Sequence, residues 1–145
     1  MAEQRITDEL KSYWERLRGS KPFPAEDQIN SVDIEEIWQN CFLVHLEGNK
    51  FVYDFLGDSI IEAYADNKLG EDIIEDQLYP ENPGILNKFK EVATLKAPVY
   101  YEGTFINHDN LDIKFRKILL PLGNSDKVEY ILGGMRWKSM DLTSM

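Results

Sequence analysis

Residues 99–138 read VYYEGTFINHDNLDIKFRKILLPLGNSDKVEYILGGMRWK, in which polar turns separate three apolar runs typical of β-strands. The runs cover residues 99–106, 111–122 and 128–138, and the turns between them have hairpin length. In the middle run, apolar residues alternate in one phase up to Phe115 and in the other phase from Ile118 onward. This pattern favours a strand that is covered on both faces over one with a bulge near residues 116–117. The stretch therefore predicts three consecutive antiparallel strands in a sheet that is packed on both sides.

Two further strands are predicted nearer the middle of the chain. Residues 42–46 and 51–56 are apolar runs with a period of two, and Gly48-Asn49 between them is typical of a two-residue hairpin loop. The first of these strands is expected to begin at Cys41. Together with the three C-terminal runs, this pair predicts five strands.

Helical patterns fill the interval between the two groups of strands. The motif Ser59-x-x-Glu62 has the spacing of a capping box and predicts a helix of one or two turns. Two more short helical pieces are expected at residues 63–67 and 71–77. Asn82-Pro83 is a favourable helix opening, and the apolar face that follows it predicts a longer helix of about 13 residues.

An amphipathic helix is predicted close to the N-terminus. Its apolar stripe recurs at i, i+4, i+7, i+8 and i+11, and it consists of Ile6, Leu10, Tyr13, Trp14 and Leu17. Gly19 is expected to end this helix, and a short helix is expected at about residues 33–38. Such a stripe either covers a face of its own sheet or pairs with a partner, and both interpretations stay open.

Length and charge restrict the class of protein. A chain of 145 residues is one domain's worth, and 26 acidic against 16 basic side chains give a net charge of −10. Such a field repels phosphate backbones and anionic lipid, so neither nucleic-acid nor membrane-surface binding is expected. No apolar run is long enough to span a bilayer, and the first residues lack a signal peptide's apolar region. With a single cysteine, Cys41, these features predict a cytoplasmic protein.

The order of these elements and several local motifs resemble the PAS domain family. The resembling motifs are FVYDFLG (51–57), KLGEDI (68–73), YPEN (79–82) and VEYILGG (128–134). The segment YWERLRG at residues 13–19 is similar to a bacterial subfamily of small stand-alone PAS-like proteins. The resemblance implies an α+β fold: a five-stranded antiparallel sheet of order 2-1-5-4-3, with helices on one face and an extra N-terminal helix. It also implies an N-terminal helical extension (1–40), a PAS-like domain (41–138) and a C-terminal tail (139–145).

The resemblance also implies where ligands and partners bind. PAS domains hold small molecules between the sheet and the long helix, and the residues expected to line that space are Phe55, Tyr64, Leu86, Phe89, Val92, Phe115 and Ile131. The residues expected at a dimer or partner interface are Leu10, Tyr13, Trp14 and Leu17 of the N-terminal stripe. A small apolar ligand, a homodimer and a signalling-protein partner are the expected contacts.

No cofactor is expected. Flavin photoreceptors of the light-oxygen-voltage (LOV) type carry their reactive cysteine on a short middle helix, whereas Cys41 stands at the start of a strand. Haem-binding PAS domains commonly use a histidine on the long helix, and residues 82–96 contain none. His45 is expected within a strand and His108 in a turn, where the spacing to Asp109 and Asp112 matches no closed metal motif. No metal site is therefore predicted.

No catalytic constellation is recognisable either, so we expect no enzymatic activity. The sequence lacks the Gly-x-Ser-x-Gly motif, a phosphate-binding glycine loop and paired cysteines. A basic cluster is expected where the last two strands pair, and it consists of Lys114, Arg116, Arg136 and Lys138. It is interpreted either as cross-strand balance against Glu102 and Glu129 or as a contact for an anionic ligand or an acidic partner.

The favoured function is a PAS-like sensory or regulatory module that binds a small ligand or a protein partner and signals through dimer or partner contacts. One alternative is a cone-shaped α+β binding protein or enzyme of the ketosteroid isomerase kind, for which Asp54 is the best candidate acid on a strand. The other alternative is a structural interaction module that takes no small ligand. These functions are inferred from the resemblance of the fold, and one fold can host many functions.

Overall fold

The computed structural model describes residues 5–74 and 84–140. Four α-helices and five strands lie within these ranges, together with two 3₁₀ turns at Glu26–Gln28 and Ser31–Ile34. The helices are α1 (Ile6–Arg18), α2 (Glu35–Trp38), α3 (Asp58–Tyr64) and α4 (Ile85–Leu95). The strands are β1 (Cys41–Glu47), β2 (Lys50–Leu56), β3 (Val99–Ile106), β4 (Asp112–Asn124) and β5 (Lys127–Ser139). None of the helices in the described ranges is long and apolar enough to cross a membrane.

The strands form one antiparallel sheet of order β2-β1-β5-β4-β3, which confirms the predicted fold class and topology. Glu47 pairs with Lys50, so Gly48 and Asn49 form the expected two-residue hairpin loop. Gly48 has a φ of +60°, a left-handed conformation that glycine adopts without steric cost. Because β1 pairs with β5, the two strand groups become a single sheet through contacts between residues far apart in the chain.

Both faces of the sheet are covered, as the two phases of β4 predict. We call the face packed against α3 and α4 the inner face, and the face packed against α1 the outer face. Phe42 of β1 lies on the inner face, where its ring centroid is 6.2 Å from that of Phe89 in α4. Gly134 of β5 faces outward against Leu10 of α1. The register between β4 and β5 is continuous through residues 116–117 and shifts only beyond Leu122, so the phase change needs no bulge there.

The N-terminal stripe packs against its own sheet. Leu10, Tyr13 and Trp14 are buried, and the indole Nε1 of Trp14 donates a hydrogen bond of 2.8 Å to the carbonyl oxygen of Pro121 in β4. Leu17 is partly buried against the same core. Within this chain the stripe therefore takes the first of the two arrangements that stayed open, and an interface through these side chains would require α1 to leave the sheet. An amphipathic pattern alone cannot distinguish the two arrangements, since both bury the same stripe.

Helix boundaries between the strand groups differ from the predictions. Helix α3 begins at Asp58, one residue before the expected cap, and the Ser59 hydroxyl instead accepts a hydrogen bond of 2.9 Å from Nε1 of Trp137 in β5. Ala65, with a φ of +55°, ends the helix, so no separate helix forms at residues 65–67. The partner of the Ser59 hydroxyl, Trp137, lies 78 residues away in the chain, so the local spacing of the capping motif does not reveal it.

The second short helix predicted for this interval is wrong for its described part. Residues 71–74 are extended along β2: the Tyr53 N–H donates to the Glu71 carbonyl, and the Ile73 N–H donates to the Phe51 carbonyl. Hydrogen bonds to the edge of β2 thus replace those of a helix. The rest of that prediction, the Asn82-Pro83 opening and the YPEN motif lie outside the described residues.

Candidate functional site

An aromatic core fills the space between the inner face and α4. Phe89 is fully buried, and its ring lies 5.8 Å from that of Phe51. Phe115 on β4 makes an edge contact with Tyr101 on β3, with ring centroids 5.6 Å apart. The remaining expected pocket residues in this region are Val92 and Ile131, which are fully buried, and Leu86, which packs against the same core. These side chains belong to or pack against one hydrophobic core, and protein cores are generally close-packed.

Phe55 lies apart from this group. Its ring stacks on Trp38 of α2, with centroids 4.6 Å apart and an interplanar angle of 13°. The cause is a β-bulge: Val44 pairs with Tyr53 and Leu43 pairs with Phe55, so Asp54 between them has no partner in the register. The extra residue reverses the alternation of β2 beyond Tyr53, which moves Phe55 to the opposite face.

Lys117 is a functional candidate that sequence analysis missed. It is 0% exposed on the inner face, and its Nζ donates a hydrogen bond of 3.1 Å to the Tyr64 hydroxyl. Four aromatic rings lie within 5.1–5.8 Å of Nζ, those of Phe42, Tyr64, Tyr101 and Phe115. The ring faces are negative and attract a cation, which offsets part of the desolvation cost of this buried lysine. A signal existed in the sequence, because Lys117 is in phase with Ile113 and Phe115 along β4.

A cleft of about 220 Å³ opens at the rim of the aromatic core. Its walls come from β2, the end of α3, the start of α4 and the end of β3; its lining residues are Tyr53, Tyr64, Asp66, Lys68, Glu71, Asp72, Ile73, Ile74, Ile85, Phe105, Ile106, Asn107 and His108. Tyr64 is the expected pocket residue that reaches the cleft, and it joins the cleft to Lys117 through its hydroxyl. The cleft therefore combines apolar walls with polar groups, as small-molecule sites generally do.

The loop after β3 holds one wall of the cleft in place. Asn107 is buried, and its Nδ2 donates a hydrogen bond of 3.0 Å to the Ala63 carbonyl of α3. The His108 N–H donates a second bond of 3.0 Å to the Tyr64 carbonyl. His108, which the sequence placed in a turn, thus borders the cleft. These hydrogen bonds to α3 position Asn107 and His108. Because their partners lie more than 40 residues away in the chain, a local sequence pattern does not reveal the contacts.

His45 and Asp54 form a pair away from the cleft. His45 Nδ1 lies 2.6 Å from Asp54 Oδ1, and this hydrogen bond raises the pKa of His45 above its ordinary value. Both side chains are about one-third exposed. Asp54, the acid on which the isomerase alternative depended, is therefore exposed and is not a cleft residue.

The basic cluster forms as predicted where β4 and β5 pair. Lys114 lies opposite Lys138, and Arg116 lies opposite Arg136. Arg116 Nε lies 3.5 Å from a carboxylate oxygen of Glu102 on β3. These residues surround a groove of about 410 Å³ on the outer face, and no residue of α1 is among those that line it.

Glu102 supplies part of the expected charge balance, but Glu129 does not. Glu129 lies at the other end of β5, where its Oε1 accepts a hydrogen bond of 3.2 Å from the Asn124 N–H. Among the described residues, no carboxylate lies within 4.0 Å of the cationic groups of Lys114, Arg136 or Lys138. The cross-strand interpretation therefore accounts for one of the four cations.

The cysteine and the histidines that could hold a flavin or a haem do not lie where PAS domains commonly use them. Cys41 is fully buried at the position opposite Gly134, and its thiol donates a bond of 3.4 Å to the Ile37 carbonyl. Burial raises the pKa of Cys41 to about 12, so the thiol stays protonated and unreactive. Helix α4 contains no histidine that could serve as an axial haem ligand. Within residues 5–74 and 84–140, no three metal-ligating side chains come together.

Several solved structures share this fold. A LOV domain described with a flavin analogue matches with a TM-score of 0.61 at 11% identity, over 81% of this chain and 92% of that chain. The dark structure of the blue-light photoreceptor Aureochrome1 LOV matches with a TM-score of 0.59 at 12% identity, over 82% and 91%. A LOV protein from Rhodobacter sphaeroides matches with a TM-score of 0.57 at 12% identity, over 80% and 72%. At these identities the likeness establishes the fold alone.

The first of these neighbours is described with a flavin analogue, whereas no cofactor is expected for this chain. The described residues nevertheless do not fit a flavin, because the buried rings of Phe42, Phe89 and Phe115 occupy the space between the sheet and α4. The cleft of about 220 Å³ is smaller than the roughly 300–1,000 Å³ typical of pockets for drug-sized ligands and cofactors. Cys41 lies on the opposite face of the sheet from this cleft. The described geometry therefore does not fit a flavin.

The family comparison agrees with the fold. No curated protein matches this chain. A family model described as a PAS domain matches residues 2–136, which includes α1, the first four strands and most of β5. PAS domains are generally sensory or regulatory modules. The chain therefore belongs to the PAS domain family.

Proposed function

We propose that this protein is a non-enzymatic sensory module that binds a small molecule in the cleft beside Tyr64 and signals through contact with another protein. The supporting observation is the connection between cleft and core: Tyr64 borders the cleft and also accepts the hydrogen bond of Lys117. A ligand that moves Tyr64 would change the environment of a fully buried lysine. Because buried polar groups are costly to leave unpaired, such a movement would alter packing across the inner face.

The volume and lining of the cleft define the class of ligand. A space of about 220 Å³ suits a molecule smaller than a flavin or haem. Ile73, Ile85 and Phe105 offer apolar contacts, whereas Asn107 and His108 offer hydrogen-bonding groups at the rim. We therefore expect a small, mainly apolar ligand with a polar end.

The proposal includes a second copy of this chain or a signalling protein as the recipient of the signal, and a cytoplasmic location. The location is supported by the single thiol, which agrees with a reducing compartment.

The absence of enzymatic activity is proposed because the described cleft brings together no nucleophile and activated base of the kind that acyl-transfer enzymes use.

Native mass spectrometry of the purified full chain, together with its visible and near-ultraviolet absorption, tests the proposal. The expected result is added mass from a small molecule without a flavin or haem band. His108→Trp should narrow the cleft and reduce the bound fraction, while Leu95→Trp on the exposed end of α4 should not. A flavin or haem spectrum would contradict the proposed ligand class.

A second candidate function, an interaction module without a small ligand, is favoured by the dense packing around Phe89. It predicts no added mass in any variant and unchanged melting temperatures on incubation with small molecules. Since a bound ligand stabilises the folded state by mass action, thermal shifts distinguish the two candidates.

A further inference from the structure

We propose that the basic surface formed by Lys114, Arg116, Arg136 and Lys138 is a docking site for an extended acidic segment of a partner protein. This inference rests on the proposed function only in that a partner receives the signal, and it does not depend on a ligand in the cleft. The surface surrounds a groove of about 410 Å³ on the outer face. Helix α1 covers the neighbouring part of that face but not this end.

The arrangement concentrates positive charge on a strongly acidic protein. Cross-strand pairing places Lys114 beside Lys138 and Arg116 beside Arg136, so like charges face each other directly. Such pairs are unfavourable in an isolated sheet. Within the described chain, Glu102 is the acid that contacts this group, through Arg116 at 3.5 Å. Acidic side chains from a partner would therefore relieve repulsion that the folded chain retains.

The spacing of the cations fits an extended segment. Along each strand the two cations are two residues apart, which corresponds to about 6.6 Å. An extended peptide running parallel to the strands repeats its side chains on one face at the same distance, because it has the same rise per residue. Acidic residues at alternate positions would consequently meet both cation pairs. Arg116 and Arg136 can also bind a carboxylate through two parallel hydrogen bonds.

Other occupants are less compatible with the charges. Face-to-face pairing of two copies through this surface would place cations against cations. Nucleic acid presents phosphates well beyond the groove, where the net charge of −10 would repel them. A short acidic segment contacts the cations directly, and salt screens its repulsion by acidic side chains that lie farther away than the Debye length of about 8–10 Å.

An exposed aromatic side chain borders the surface on β3. Tyr100 is 48% exposed, and its hydroxyl donates a hydrogen bond of 3.2 Å to Glu102. Tyrosine combines a large apolar contact area with a polar end and is enriched at protein interfaces. Tyr100 therefore offers a contact for an apolar residue next to the acids of the segment.

Fluorescence anisotropy with a labelled synthetic peptide tests the inference on the full chain. The probe carries glutamate at alternate positions, with threonine between them and one leucine at an end. We expect binding at about 50 mM salt that weakens at about 200 mM, as charge-driven contacts do. Lys114→Glu with Arg136→Glu should reduce the affinity at least about tenfold, since two attractive contacts become repulsive.

A matched control reverses two lysines elsewhere, Lys90→Glu with Lys127→Glu, and gives the same net charge. This variant should bind the peptide within about twofold of wild type, because its lysines lie outside the groove. A milder pair, Lys114→Gln with Arg136→Gln, should show an intermediate loss and shows whether the reversed variant lost binding through misfolding. Native mass spectrometry of the cleft ligand should be unchanged in all of them.

Three outcomes would overturn the inference. The first is the absence of peptide binding at low salt, and the second is an equal loss of affinity in the groove variant and the control. The third is tighter binding of labelled single-stranded DNA that disappears in the groove variant, which would assign the surface to nucleic acid. Because the cleft ligand is measured separately, none of these results bears on the proposed sensing site.

Discussion

Gly133 lies directly opposite Phe42 where β5 pairs with β1. A Cβ at this position would lie 2.0 Å from the Phe42 ring, which is itself fixed among other aromatic rings. Gly134→Ala is the matched control, because its Cβ would meet the flexible end of Leu10 at 2.7 Å. We expect Gly133→Ala to lower the free energy of unfolding by about 1–3 kcal/mol and Gly134→Ala to cost less. Urea denaturation of both variants measures this, and equal losses would contradict the argument.

The His45 pair gives stability a pH dependence. Its hydrogen bond to Asp54 raises the pKa of His45 in the folded state above about 6.5, the unfolded value. The stabilisation is therefore fully present below about pH 6.5 and is lost as the pH rises through the folded pKa. Both groups are partly exposed, so the effect should stay below about 1 kcal/mol. Urea denaturation across this pH range should show a difference between wild type and His45→Gln that shrinks with rising pH; a constant difference would refute it.

Lys117 shows at the residue scale how position decides the role of a side chain. Lysine is usually solvated, and its neighbours Arg116 and Lys114 lie at the surface as expected. The strand alternation nevertheless directs Lys117 inward, where the Tyr64 hydroxyl and four aromatic rings contact it. The inward phase of Lys117 along β4 was visible in the sequence. The groups that contact its Nζ, however, come from three other elements of the fold besides β4 itself.

At the element scale, α1 is part of the core. Trp14 is 2% exposed and donates its indole hydrogen bond to β4, so Trp14→Ala should lower the free energy of unfolding by about 3–5 kcal/mol. Val32→Ala, at a position 69% exposed, should change it by less than about 0.5 kcal/mol. Chemical denaturation at two protein concentrations checks both values. If α1 served only a partner interface, the Trp14 variant would lose stability only through dissociation, and its loss would depend on concentration.

The strand β2 illustrates a feature that periodicity alone cannot resolve. Its alternation from Phe51 through Tyr53 predicts that Phe55 faces inward, yet the bulge at Asp54 reverses the direction. A bulge adds one residue to one strand of a pair, so it becomes visible only when both strands are aligned. The hairpin loop, by contrast, follows from local turn chemistry and was predicted correctly, and the strand ends were predicted to within two residues.

At the scale of the whole molecule, the two faces of the sheet carry different structural features. The inner face holds the aromatic core and the cleft, while the outer face carries α1 and the basic surface. Strand β4 contributes to both, with Lys117 inward and Arg116 outward at adjacent positions. A displacement of β4 by a ligand beside Tyr64 would therefore reach the basic surface through one strand. Peptide affinity measured with and without the cleft ligand would report this coupling.

The sequence by itself determined the elements of the sheet, its strand order through the PAS resemblance and the cover on both of its faces. The strands and the cover on both faces depend on local periodicity and turn residues, which neighbouring residues encode, whereas the strand order was implied by the resemblance. The tertiary structure decided that α1 packs on its own sheet, that Phe55 lies on the outer face and that Lys117 enters the core. It also decided that Tyr64 and His108 meet at one cleft. Each of these outcomes depends on contacts between residues far apart in the chain, and the energy of such contacts is settled only when the elements pack together.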